Sequence, residues 1–257
     1  MTAVLAELMQ ITNAYLWHGI AVFFRVGALV TLLPVFGERT VPARVKLIII
    51  LAFVMIVAPA VPQGTFTPGI DSMAVLIFTE TLVGLVLGIG IRLFILGLQT
   101  AGSIAAQSTS LSQILGGAAV DPLPAIGYIL IIGGLALAVM SGLHIKAALL
   151  LIVSYDLMPM GRLLPGSVLS QWGVARIVEV FALAFTLAAP FVILSVIYNL
   201  ALGAINKAMP QLMVAFVGAP VITAGGLLVL LLAGPFMLEH WLNALETFMA
   251  NPYRTTP

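Results

Sequence analysis

An all-helical integral membrane protein is the fold class this sequence predicts, and three observations predict it. Hydrophobic residues fill 62% of the 257 positions and charged residues only 7%, where a soluble domain carries charge on about a quarter of its residues. The apolar residues run on without alternation, as in LIIILAFVMIV at 47–57 and GLLVLLLAG at 226–234, whereas the strands of a membrane barrel alternate apolar and polar residues. About six such stretches approach the roughly 20 residues that a spanning helix requires. So little charge cannot cover the chain for water, so its solvent is lipid or other apolar protein.

The opening, MTAVLAELMQITNAYLWHG, lacks the basic start and small-residue cleavage site of a removed signal and reads as mature sequence. The first apolar stretch covers 14–36 and stops at Pro34 and Gly37. A polar connector, GERTVPARVK at 37–46, sets Arg39, Arg44 and Lys46 against Glu38. The second stretch, 47–61, is short and ends in a Pro/Gly-rich loop at 58–69. The third covers 73–98 and is interrupted by Glu80 and Arg92. A softer region at 99–124 follows, then a fourth stretch at 126–153 holding His144 and Lys146. DLMPMGRLLPG at 156–166 leads to a fifth at 177–205. NKAMPQ at 206–211, with its helix-breaking Pro210, leads to a sixth at 212–238 and a short polar tail. Pro34, Pro190, Pro220 and Pro235 fall within these stretches. Each removes a backbone hydrogen bond that packed neighbours or water must replace, which predicts either split hairpins or ordinary kinks.

No polar segment is long enough for an appended soluble domain, so 1–257 is expected to form a single membrane domain. Cysteine is absent, which excludes disulfides, thiolate metal sites and cysteine nucleophiles. A net charge of +1 without a basic cluster lacks the footprint of nucleic-acid binding. The Lys/Arg excess in the first connector leans towards a cytoplasmic placement of that connector.

The embedded charges pose the functional question. Arg25, Glu80, Arg92 and Lys146 interrupt or border the apolar runs, and each such charge costs about 2.5–3.5 kcal/mol at the centre of a lone inserted helix. Glu80 and Arg92, twelve residues apart, would stand about 18 Å apart on one helix and cannot pair with each other. They serve either a proton or ion relay or structural ion pairs. ETLVGLVLGIGIRL at 80–93 spaces Gly84 and Gly88 four residues apart on one helix face. That spacing lets two helix backbones approach closely, and the third glycine of a dinucleotide fingerprint is missing. SGLHIK at 141–146 places Ser141 and His144 on one helix face, but a catalytic dyad also needs an orienting third group and an oxyanion hole. Neither GxSxG nor HExxH occurs. No catalysis, metal or cofactor is expected.

The region at 99–124 is too polar for a lipid-facing helix and too apolar for an ordinary loop. Its small residues, with Gln107, Ser108, Thr109, Ser110, Ser112 and Gln113, suit either non-helical backbone lining a cavity or pore or an amphipathic connector on the membrane surface.

Four segments in order resemble one family over nearly the whole chain: the FliR/SctT export-gate proteins of flagellar and injectisome type III secretion. They are FFRVGALVTLLPVFGERTVPARVK at 23–46, ETLVGLVLGIGIRL at 80–93, SGLHIKAALLLIVSYDLMPMG at 141–161 and APFVILSVIYNLALGAINKAMPQL at 189–212. The last carries Asn199, Gly203, Pro210 and Gln211. The resemblance implies helical hairpins with kinked or broken helices, assembled with FliP and FliQ homologues into a closed helical ring raised largely out of the bilayer plane. It also implies a bacterial inner-membrane location in the flagellar basal body, a FlhB homologue nearby, and unfolded export substrates passing through. A pore plug would fall at 107–121, with Gln107, Ser110, Leu111, Gln113, Ile114, Leu115, Gly116, Gly117 and Asp121 as its candidate residues. This chain is poorer in Gly and Met ahead of Asp121-Pro122 than the family usually is. In such a ring Arg25, Arg39, Glu80, Arg92, Lys146, Asn199 and Lys207 are expected at assembly contacts, and Pro34, Gly84, Gly88, Pro190, Pro210 and Pro220 at helix packing points or breaks. The rival classes are a small ion-coupled secondary transporter using Glu80, Arg92 and Lys146, and a membrane scaffold without a pore.

Overall fold

Long uninterrupted apolar runs satisfy their backbone polar groups most simply as helices, and a computed structural model of the chain is helical almost throughout. It describes residues 2–62, 70–109, 125–162, 165–209 and 214–253, and among these no strand occurs. In chain order the helices are α1 (Thr2–Leu32), α2 (Ala43–Val57), α3 (Ile70–Thr109), α4 (Ala125–Met140), α5 (Leu143–Leu157), α6 (Gly166–Ala208) and α7 (Val214–Ala250), with one 3-10 turn at Ala58–Ala60 after α2. Five of the helices are long and apolar enough to cross a membrane, six spans in all if the bent pair α4–α5 counts as one.

The boundaries depart from the sequence expectation in two places. Residues 99–109, expected as non-helical backbone lining a cavity or pore or as an amphipathic surface connector, continue α3 as regular helix. Their small residues pack where bulk would not fit: Gly102 lies against the backbone of Gly127 on α4. The fourth stretch, expected as continuous, breaks at Ser141–Gly142 into α4 and α5. Gly142 takes φ 82 there, a left-handed conformation open to glycine at little steric cost. By contrast Pro190 lies inside α6, and Pro220 and Pro235 inside α7, without ending either helix.

The described chain divides into two compact units. The first comprises residues 1–92, 139–175 and 247–257. Its core is built from Val22, Val26 and Leu29 of α1, Val83, Leu87 and Ile91 of α3, and Leu143, Ala147 and Leu151 of α5. The close approach of α1 to α3 rests on two glycines. A Cβ on Gly84 would collide with the Arg25 carbonyl oxygen, and one on Gly88 would stand 2.9 Å from Leu32 Cβ. His18, buried on α1, bonds the Ala58 carbonyl through Nε2 at 2.8 Å. Trp172 of α6 donates Nε1–H to the Pro252 carbonyl at 2.7 Å, which fixes the segment after α7.

The second unit comprises residues 93–138 and 176–246. Phe94 and Leu98 of α3, Leu130 of α4, Leu187 and Phe191 of α6 and Trp241 of α7 are its buried centre. Trp241, wholly buried, donates Nε1–H to the Phe94 carbonyl at 2.8 Å.

Candidate functional site

The first unit closes around two charges. Arg25 on α1 and Glu80 on α3 are each 0% exposed, and removing such groups from water costs several kcal/mol per ion unless every donor and acceptor finds a partner. They find partners. Arg25 Nε donates to Glu80 Oε2 at 2.8 Å and Nη2 to Oε1 at 3.1 Å, the two-pronged geometry that suits a planar guanidinium to a carboxylate. The rest of the guanidinium is taken up by α5. Nη1 donates to Ser154 Oγ at 3.0 Å, and Nη2 also to the Met158 carbonyl at 2.9 Å. The Ser154 hydroxyl in turn donates to the Leu151 carbonyl at 2.6 Å. The guanidinium carbon lies 3.6 Å from the centre of the Tyr155 ring, where a cation is attracted to the aromatic face. Finally, the Gly161 amide donates to Glu80 Oε1 at 3.0 Å. Gly161 takes φ 75, so the chain leaving α5 turns back towards the carboxylate.

This arrangement ties α1, α3, α5 and the turn beyond α5 to one salt bridge. Charge is neutralised, four of the five guanidinium N–H groups reach acceptors, and both side chains are shut off from solvent. Chemically it is a lock. Ser154, Tyr155, Met158 and Gly161 were not singled out from the sequence. The signal available for them was the SYDLMPMG run at 154–161, a polar patch closing an apolar helix two residues short of a Pro.

The remaining charges lie elsewhere. Arg92 pairs with Glu38 through Nη1 at 2.7 Å, the side chains 36% and 33% exposed. Glu80 and Arg92 therefore each reach a different helix or connector, and the structure does not bring them together. Lys46 donates to the Gly37 carbonyl at 2.9 Å, while Arg39 and Arg44 are exposed. Lys146 is half-buried on α5, and His144, two residues before it, is exposed. Asn199 is exposed on α6 and donates Nδ2–H to the Ser195 carbonyl and hydroxyl at 2.8 and 3.2 Å. Lys207 is exposed in the last turn of α6. Pro34 is buried in the turn after α1. Among the described residues no group of three or more His, Asp or Glu is placed to hold a metal ion. Of the expected plug residues, Gln107 is exposed in the last turns of α3. Ser110, Leu111, Gln113, Ile114, Leu115, Gly116, Gly117 and Asp121 lie outside the described residues, as does Pro210.

Tyr253, beyond the end of α7, donates to Met158 Sδ at 3.5 Å. Burial pushes its phenol up to about 12, against the opposing pull of Arg25.

Known proteins resemble this chain over most of its length. The family model described as bacterial export proteins, family 1, matches residues 16–248. The flagellar biosynthetic protein FliR of Caulobacter vibrioides is 33% identical over 235 residues, covering 88% of this chain and 94% of that protein. The flagellar biosynthetic protein FliR of Escherichia coli is 28% identical over 253 residues, 93% and 92% of the two chains. That of Bacillus subtilis is 27% identical over 208 residues, 77% and 79%. With a family match over most of its length and a relative a third identical, this helical membrane chain belongs to the bacterial export proteins, family 1, the family of flagellar biosynthetic protein FliR.

Proposed function

We propose that this chain is a subunit of the flagellar type III protein export gate. It forms, with FliP and FliQ homologues and beside a FlhB homologue, a closed pore for unfolded flagellar proteins in the inner membrane of the basal body. The observation that carries the reading is a mismatch of length. Helix α3 has 40 residues and so measures about 60 Å, while the hydrocarbon of a bilayer is about 30 Å thick. Fitting it inside would need a tilt of about 60°, beyond the roughly 0–40° of spanning helices. The half-exposed Arg92–Glu38 pair stands near the middle of α3. Exposed apolar side chains precede it, Val75 and Phe78, and follow it, Leu96. Helices α6 and α7, of 43 and 37 residues, pose the same problem. One bilayer does not cover so much apolar surface, and neighbouring protein subunits do.

The transporter reading draws less support. Glu80 is closed off by Arg25 without exposure, and Arg92 is engaged by Glu38, so neither offers a free group to a moving ion. In the gate reading the segment at 107–121 closes the pore at rest. Deleting residues within 107–119 is expected to make membranes leaky to small solutes while the complex still assembles. An unchanged leak from an intact complex refutes the plug.

A further inference from the structure

The segment from the end of α1 to the start of α2 breaks local rules at two points. Among the described residues Val35 is the one non-glycine at positive φ, 72. A β-branched residue in left-handed backbone is a steric outlier, and it persists only where the surroundings over-determine it. Helix α2 then begins at Pro42 without a side-chain cap hydrogen bond. Its start carries Arg44 and Lys46 and no acidic residue, the sign of charge that a helix N-terminus disfavours.

A few contacts hold the segment in this form. The Gly37 amide donates to the Leu33 carbonyl at 2.7 Å, in a turn so tight that a Cβ on Gly37 would collide with the Thr31 carbonyl oxygen. Lys46 Nζ draws the start of α2 back onto the Gly37 carbonyl at 2.9 Å. From α3, Arg92 grips Glu38, the residue after Gly37, at 2.7 Å. Helix α2 adds little of its own: it buries only Ile50, Phe53 and Val57, and Val45, Leu47 and Ile48 near its start are exposed. The two ion pairs of the first unit thus differ in kind. Arg25–Glu80 is shut off from solvent, while Arg92–Glu38 is about a third exposed on both sides and open to competing charges. We propose that residues 33–46 form a strain-loaded joint with the Arg92–Glu38 pair as its latch. Closed, the latch keeps Val35 strained and the start of α2 against Gly37. Released, Val35 relaxes to extended backbone and the start of α2 comes away from the end of α1. Stored strain offsets the cost of opening, so a pair of modest strength decides the state of the turn. The joint needs no partner subunit and stands apart from the gate reading.

The test is amide hydrogen exchange by mass spectrometry on the full chain expressed with its native export proteins, since such exchange reports local opening. The reporters are the Gly37 amide and those of Val45 and Lys46, which bond the Pro42 carbonyl. Glu38→Lys sets a cation opposite Arg92 and is expected to speed exchange at all three about ten-fold, and Glu38→Gln about three-fold. The charge exchange Glu38→Lys/Arg92→Glu is expected to restore exchange to within about two-fold of wild type. Val35→Gly is expected to slow it about three-fold, because glycine takes φ 72 without strain. Added backbone freedom alone would speed it. Wild-type exchange across Gly84–Gly88 of α3 marks the opening as local, and where Glu38→Lys raises that too, Glu38→Gln decides. Acceleration below about two-fold in the deciding variant, or a charge exchange as fast as Glu38→Lys, overturns the latch. A Val35→Gly turn that exchanges no slower than wild type overturns the strain. Acceleration at Gly37 without Val45 and Lys46 overturns the joint, leaving only a frayed turn.

Discussion

Removing the carboxylate at position 80 is the sharpest perturbation of the first unit. In Glu80→Gln the side chain keeps its shape but offers one acceptor oxygen where three N–H groups converge: Arg25 Nε, Arg25 Nη2 and the Gly161 amide. The new amide turns its own donors towards at least one of them, and the Arg25 charge stays buried without a counterion. Breaking a buried ion pair from one side costs about 3–5 kcal/mol. At about 2–4 °C per kcal/mol for a chain near this size, the unfolding midpoint falls by about 6–20 °C. The assay is thermal unfolding in detergent followed by the fluorescence of Trp17, Trp172 and Trp241. Arg25→Met should cost a similar amount, because Glu80 then keeps only the Gly161 amide. The double variant Arg25→Met/Glu80→Leu removes both charges and leaves the Met158 carbonyl and the Gly161 amide without their partners, about 2–6 kcal/mol for two orphaned groups. It should therefore fall short of the sum of Arg25→Met and Glu80→Leu, each made singly, by about 4 kcal/mol, the signature of coupled sites. A Glu80→Gln midpoint within about 2 °C of wild type, or simple additivity of the two changes, refutes the account of the lock.

Gly84→Ala drives a methyl group into the Arg25 carbonyl and should lower stability by about 1–3 kcal/mol through overpacking; Gly173→Ala, with nothing within 4 Å of its added carbon, should be neutral or gain up to about 1 kcal/mol from helix propensity, both read by the same unfolding assay. Gly142→Ala forces an alanine to φ 82 and should cost about 1–2 kcal/mol, together with faster proteolysis at the α4–α5 break. Ultraviolet titration of Tyr253 should show ionisation near 12 and not near 10. Its raised folded value means that its contribution to stability is fully present below pH 10 and is lost as pH rises towards 12; replacement by phenylalanine should remove that part of the pH dependence.

Much of the fold was legible because composition and unbroken apolar runs leave a membrane chain few alternatives to helix. The boundaries were legible only where polar connectors mark them. The residues at 99–109 read as soft because Ala, Gly and Ser carry little hydrophobic signal, yet those side chains are what a close approach such as Gly102 to Gly127 requires. Prolines had left split hairpins and ordinary kinks both open. Pro190 and Pro220 sit inside continuous helices, while the true break at Ser141–Gly142 has no proline and follows from a backbone angle that only the folded chain displays. For the candidate site, burial costs told that Arg25 and Glu80 need partners. That they choose each other across 55 residues, with Ser154 and Tyr155 completing the shell, depends on the packing of three helices, and no local pattern encodes that.

The same 55-residue separation has a consequence for biogenesis. A ribosome adding about 5–20 residues per second needs about 3–11 s to deliver Glu80 after Arg25, and Ser154 lies 129 residues behind Arg25. During that interval α1 presents an unpaired guanidinium to the membrane, an insertion penalty of about 2.5–3.5 kcal/mol at the helix centre. Helix α1 alone is therefore a weakened span. The penalty is relieved when α3 brings Glu80, and the lock is complete only after α5 has been made. Truncated chains ending before α2 should accordingly be extracted from membranes by alkaline carbonate more readily than chains that extend past α5.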